Sequence, residues 1–104
     1  MALQTLKPTA SRETILATLN RDGACIIADV TDAATVRRMT DEVMPFIERT
    51  PFGNDDFTGH HTQRTGALVA RTPACRKLVL EPKLLGAAHE FLRPWSHRIL
   101  LHLA

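Results

Sequence analysis

A chain of 104 residues, 44% hydrophobic and 23% charged, has the composition of one folded domain and is unlike a disordered chain. Thirteen basic and eleven acidic residues, mixed along the sequence, leave a net charge of only +2. That supplies no strong field for steering nucleic acid or an anionic membrane face, so neither partner is expected. No apolar stretch approaches the roughly 18 residues of a membrane span, and "MALQTLKPTASRET" lacks the apolar segment of a secretory signal, so a cytoplasmic protein is expected.

Residues 1–10 read as a polar leader. Ser11 is placed to cap a helix in which Ile15, Leu16 and Leu19 recur at helical spacing, and Asp22-Gly23 ends it. "ACIIADV" is too short for a helix after a glycine stop and reads as a buried strand. Cys25 lies in this run and Cys75 far away in "PACRKLV". Without a C-x-x-C pair, both are expected to be reduced, buried thiols.

Asp32 is the expected cap of the next helix, with Val36, Met39, Val43, Phe46 and Ile47 on its inner stripe. Arg37, Arg38, Asp41, Glu42 and Glu48 fall outside, and Pro45 predicts a kink there or an end near Val43. Residues 50–65, with Pro, Gly, Asn, Asp and Thr and little periodicity, form a long loop. "GALVA" is a second strand candidate, after which Thr72-Pro73 opens a helix with threonine as its cap. Leu78 and Val79 face inward. A further helix spans about 82–92, with Leu84, Leu85, Ala88, Phe91 and Leu92 inward and Pro94 as its stop.

Residues 97–103, "HRILLHL", alternate as a strand with Ile99, Leu101 and Leu103 on one face. The expected order is α-β-α-loop-β-α-α-β, an α+β arrangement. Ending on an apolar strand implies that the natural polypeptide continues, or that this edge self-associates.

Chemistry is sought first at His60–His61, with Asp55 and Asp56 nearby. A metal needs at least three converging protein ligands, and no recognisable spacing here supplies the third and fourth. The two-histidine, one-carboxylate iron site carries a local H-x-D or H-x-E signature, and no histidine of this chain has a carboxylate two residues on. Ser96-His97 lacks a glycine elbow and an orienting acid, and the five glycines form no phosphate-binding pattern. Arg64 and Arg71, flanking "GALVA", have the donor fork to grip a carboxylate ligand; pairing with Asp29, Asp32 or a loop acid is the expected use.

The succession "RDGACIIADV", "TDAATVRRMTDEVMPFIERTP", "DDFTGHHTQRTGALVARTPACRKLVLEPKLLGAAHEFL" and "RILLHLA", over residues 12–104, resembles the N-terminal part of the phytanoyl-CoA dioxygenase family. The block from Phe57 to Cys75 is its most specific piece. The resemblance implies an iron(II)- and 2-oxoglutarate-dependent oxygenase on a double-stranded β-helix (jelly roll), oxidising a small-molecule or acyl substrate. The residues matched here would be the helices and flanking strands that buttress the jelly roll. The family's H-x-D pair, distal histidine and 2-oxoglutarate arginine follow the matched part, so no metal, cofactor-binding or catalytic residue carries over, and the chain alone is expected to be inactive. His102-Leu103-Ala104, which imitates the halogenating variant of the iron motif, matches the preceding strand instead. Phe57, Gly59, Thr62, Arg64 and Arg71 carry over as loop-ordering or pocket-rim residues. The alternative is a self-standing α/β interaction module without catalysis, using the open strand at 97–103.

Overall fold

The computed structural model describes residues 2–101. It is an α+β structure of five helices and one two-stranded parallel sheet: β1 (Thr5–Leu6), α1 (Arg12–Asp22), β2 (Ile26–Ile27), α2 (Ala33–Arg49), α3 (Leu68–Arg71), α4 (Pro73–Val79) and α5 (Pro82–Leu92). Two compact units divide the chain, one from residues 2–32 with 79–100, the other from residues 33–78.

In the first unit, α1 begins and ends where its caps dictate. Ser11 Oγ accepts from the Thr14 amide at 3.2 Å. Gly23, at φ 78°, takes the left-handed conformation and donates its amide to Leu19 O. The helix crosses between two strands that pair Thr5 with Ile26 and Leu6 with Ile27. No element was expected at Thr5–Leu6; polar neighbours hide a two-residue strand from any periodicity argument. "ACIIADV" contributes only Ile26–Ile27, because Asp29 turns the backbone into positive φ at 52°. The core of this unit is Leu6, Ile15 and Ala87, with Ala10, Leu19, Cys25 and Ile27 packed around it.

Helix α5 starts at Glu81, whose carboxylate accepts from the amides of Lys83 and Leu84, with Pro82 in the first turn. Its buried residue is Ala87, while Leu85 and Leu92 are exposed, so the inward stripe is rotated from the one expected. The small Ala87, not the leucines, meets Ile15 and Leu6. Gly86 costs about 1 kcal/mol relative to alanine inside a helix. The space it leaves is taken by the Arg12 guanidinium, whose Cζ would stand 2.6 Å from a Cβ at position 86. After Pro94, residues 97–101 form no strand, contrary to expectation; Ser96 Oγ instead donates to Arg98 O and accepts from its amide. Residues 102–104 of that expected strand lie outside the described residues.

In the second unit, α2 runs unbroken through Pro45 to Arg49. Proline removes one amide donor, and the helix tolerates the loss rather than ending near Val43. Its apolar stripe is half-buried at Met39, Val43, Phe46 and Ile47 and exposed at Val36, so the helix contributes no fully buried residue. "GALVA" is not a strand. Ala67 sits at φ 59° and reverses the chain into the single turn α3. Alternation over five residues cannot distinguish these outcomes, and the positive φ at a non-glycine position carries no sequence signature.

Thr72 does not cap α4 with its side chain. Its hydroxyl donates back to Leu68 O, closing α3, and only its carbonyl serves the next helix through the Cys75 amide. The side chain at the start of α4 is Glu42, expected on the outer face of α2. Its Oε2 accepts the Ala74 amide at 2.9 Å. A carboxylate there also meets the positive end of the helix dipole.

Candidate functional site

The site is the loop between α2 and α3 in the second unit, where four of the five carried-over residues lie. It is closed by local hydrogen bonds. Asp55 Oδ1 accepts both the amide and the hydroxyl of Thr58, each at 2.6 Å, and the Thr58 hydroxyl oxygen accepts the amides of Asn54 and Asp55 at 3.3 Å. Gly59, at φ 78°, continues the turn, its amide reaching Asp55 O and its carbonyl receiving the Thr62 amide. Gly53 donates to Thr62 O, and Phe52 and Gln63 form an antiparallel bridge. Glycine is required at 53 for close approach: a Cβ there would stand 2.7 Å from the Thr58 carbonyl.

Gln63 ties this loop to the helix before it. Its amide nitrogen donates to Thr50 O at 2.7 Å and Ile47 O at 3.1 Å, two carbonyls at the end of α2. Both partners are acceptors, so the side-chain orientation is dictated by chemistry. Carbonyls at a helix C-terminus have no partner within the helix, which is why a glutamine sixteen residues on is useful there. Sequence reasoning passed over Gln63; a lone glutamine in a polar loop gives no local signal of a contact so distant in sequence.

The hydrogen bonds from Thr58 hold the Asp55 carboxyl below the usual aspartate range, the hydroxyl contributing most and the backbone amide next. Arg64 adds a smaller, longer-range attraction. A cleft of about 490 Å³ lies beside this loop, and Thr62 and Arg64 line it with Thr50, Phe52 and Asn54. Gly59 acts through the turn. Phe57 is 85% exposed and stands away from the cleft.

Arg71 is elsewhere. Its guanidinium lies 5.0 Å from the centre of the Phe46 ring and donates to Thr65 Oγ1 at 3.2 Å. Arg49 lies 5.2 Å from the same ring, so one phenyl face system serves two cations. The expected carboxylate partner of Arg71 is replaced by an aromatic ring and a hydroxyl. Phe46, Arg49, Thr50 and Arg71 together border a separate hollow of about 340 Å³.

His60 meets Asp56 at 3.5 Å as an exposed pair, and His61 is exposed beside it. Among the described residues, no three His, Cys, Asp or Glu side chains come together as a metal site. Two histidines and one carboxylate are the minimum for a non-haem iron centre, and these residues do not fit that requirement. No step through iron is therefore assigned to them. Cys25 and Cys75 are free and half-buried; Cys75 lines a small apolar groove with Met39, Val43 and Leu68. No helix among the described residues is long and apolar enough to cross a membrane.

The loop can therefore order its neighbours and present Thr62 and Arg64 to a cleft, while its carboxylate pairs, Asp55 with Thr58 and Asp56 with His60, are exposed. Compared with known protein families and with curated proteins, the chain matches no family model and no curated sequence.

Proposed function

We propose that residues 12–104 are the N-terminal, helix-rich portion of an iron(II)- and 2-oxoglutarate-dependent oxygenase of the phytanoyl-CoA dioxygenase kind, acting in the cytoplasm on a small-molecule or acyl substrate. Their part is to buttress a jelly roll, while the iron ligands and the arginine that grips 2-oxoglutarate belong to the sequence that follows in this family. The observation carrying the proposal is the block "FTGHHTQRTGALVART", which resembles the family's through Phe57, Gly59, Thr62, Arg64, Gly66 and Arg71. The hydrogen-bonded loop around Asp55 and Thr58 supports a scaffolding role for that block, because its ordered groups satisfy one another rather than converge on a reactive atom.

The test is to sequence the transcript through the Ala104 codon and beyond. An in-frame H-x-D or H-x-E within a few dozen codons, followed by a further histidine and an arginine, is the expected result. A stop codon with no such motif in the adjoining reading frames refutes the reading. On the 104-residue chain itself, added iron(II) and 2-oxoglutarate should give neither stoichiometric metal binding nor cosubstrate decarboxylation; either activity would overturn the scaffolding role.

A further inference from the structure

A cleft of about 550 Å³ lies within the first unit, between the start of α1, the outer face of α5 and the segment after Pro94. Its charged lining is unbalanced. Arg12, Arg93, His89 and His97 face it with a single acid, Glu90. Glu90 is already engaged, with Oε1 at 3.7 Å from Arg12 Nη1. That pairing leaves Arg93 and the two imidazoles without a side-chain hydrogen bond or ion pair among the described residues.

The lining of the cleft is exposed or half-buried throughout. The Arg12 guanidinium lies over Gly86 of α5, where a Cβ would meet its Cζ at 2.6 Å, so an alanine there would make this exposed side chain shift. Pro82, Leu85 and Ile99 supply apolar wall beside the cationic groups. Guanidinium and imidazolium groups recognise phosphate and carboxylate oxygens through charge-assisted hydrogen bonds, and an adjoining apolar wall selects anions that carry hydrocarbon.

We propose that this cleft binds the oxyanion of a small molecule with a short apolar body, a phosphate monoester or a carboxylate, with Arg12, Arg93, His89 and His97 holding the anionic end and Pro82, Leu85 and Ile99 the body. The site is independent of the oxygenase reading, since none of these residues belongs to the family-marker loop.

The chain contains its own reporter. Trp95, the single tryptophan, stands between Arg93 and His97 in the sequence, is 74% exposed and has its ring 6.1 Å from that of Phe91 between centroids. Its fluorescence, together with the Gly86 amide shift, is followed while inorganic phosphate, hexyl phosphate or hexanoate is added to the full chain at constant ionic strength. Saturable binding is expected, with an alkyl oxyanion at least about tenfold tighter than inorganic phosphate, the gain from burying two methylene groups. The tighter of hexyl phosphate and hexanoate identifies the head group. Arg93→Ala, at an exposed position, should weaken the preferred ligand about tenfold. Gly86→Ala, which displaces Arg12 without removing its charge, should do so less. If sodium chloride alone gives the same signals, if Arg93→Ala and His97→Gln both bind as wild type, or if no ligand saturates, the proposal fails.

Discussion

Replacing Gln63 tests whether the marker loop is held by the end of α2. The amide nitrogen makes two hydrogen bonds, to Thr50 O and Ile47 O. At about 1 kcal/mol net for each, Gln63→Leu should weaken the local structure by about 2 kcal/mol, a factor of about 30 in the opening equilibrium. Gln63→Glu is the sharper perturbation, being nearly isosteric. At neutral pH it points a carboxylate at two carbonyl oxygens and at the negative end of the helix dipole, so it should be worse than leucine. Protonation restores one donor, and the glutamate variant should then approach or pass the leucine variant in acid. Amide hydrogen exchange reads this directly. The Gly53 amide, bonded to Thr62 O, and the Thr50 amide, bonded to Ile47 O, should lose about 30-fold protection in the leucine variant. Amides of α1 in the other unit should keep theirs. Equal protection of Gly53 in all three proteins at pH 7 would refute the reasoning, as would a glutamate variant indifferent to pH.

Three further outcomes follow from the same geometry. Glu42→Ala removes the carboxylate that accepts the Ala74 amide and should cost about 1 kcal/mol at the start of α4, seen as faster Ala74 exchange; Glu42→Asp should not rescue it if reach matters. Asp55 has a folded-state pKa below its unfolded value, so its contribution is present above about pH 4 and is lost as pH falls through the folded value. The Thr58 and Gly59 amides should therefore lose protection in acid, and Asp55→Asn should abolish that pH dependence without restoring full protection. Replacing His60 and His61 together by alanine should leave zinc binding, measured by calorimetry, as in wild type, because His60 meets one exposed carboxylate, Asp56, and among the described residues no third ligand joins them.

The helices that carry their own punctuation were legible. Ser11 and Gly23 bracket α1, and Pro82 opens α5, because caps and stops act within four residues of the position they mark. What the sequence hid was set at a distance. Glu42 looked like surface on α2 and serves α4 thirty-two residues later; Gln63 looked like loop and serves α2; Arg71 was matched to acids and found Phe46. "GALVA" failed for another reason. Five small and aliphatic residues fit a strand or a helical turn equally, and the deciding event, Ala67 in the left-handed region, leaves no mark in residue type. Of the candidate rim residues, Thr62 and Arg64 do line a cleft, whereas Phe57 points to solvent and Arg71 borders a different hollow.

The distribution of apolar side chains separates a buttress from a self-contained module. Among the described residues the buried hydrophobic ones are Leu6, Ile15, Ala74 and Ala87, two of them alanines. Against these stand Ile26, Leu80, Leu85, Leu92, Trp95 and Leu100 exposed in the first unit, and Val36, Met44, Phe52, Phe57 and Val69 in the second. Single exposed aliphatics are ordinary, but a long amphipathic helix such as α2 with no fully buried residue has an apolar face only half used. The starts of α1 and α5 are held by the local caps Ser11 and Glu81, which do not depend on covering either helix's apolar face. A buttress should then bind the dye ANS at neutral pH with its far-ultraviolet helical signal intact. A module that completes its own core should leave the dye as it is in buffer and unfold in one cooperative transition. The second outcome would count against the jelly-roll proposal without touching the anion cleft, whose anion-holding groups Arg12, His89, Arg93 and His97 are polar side chains of the first unit.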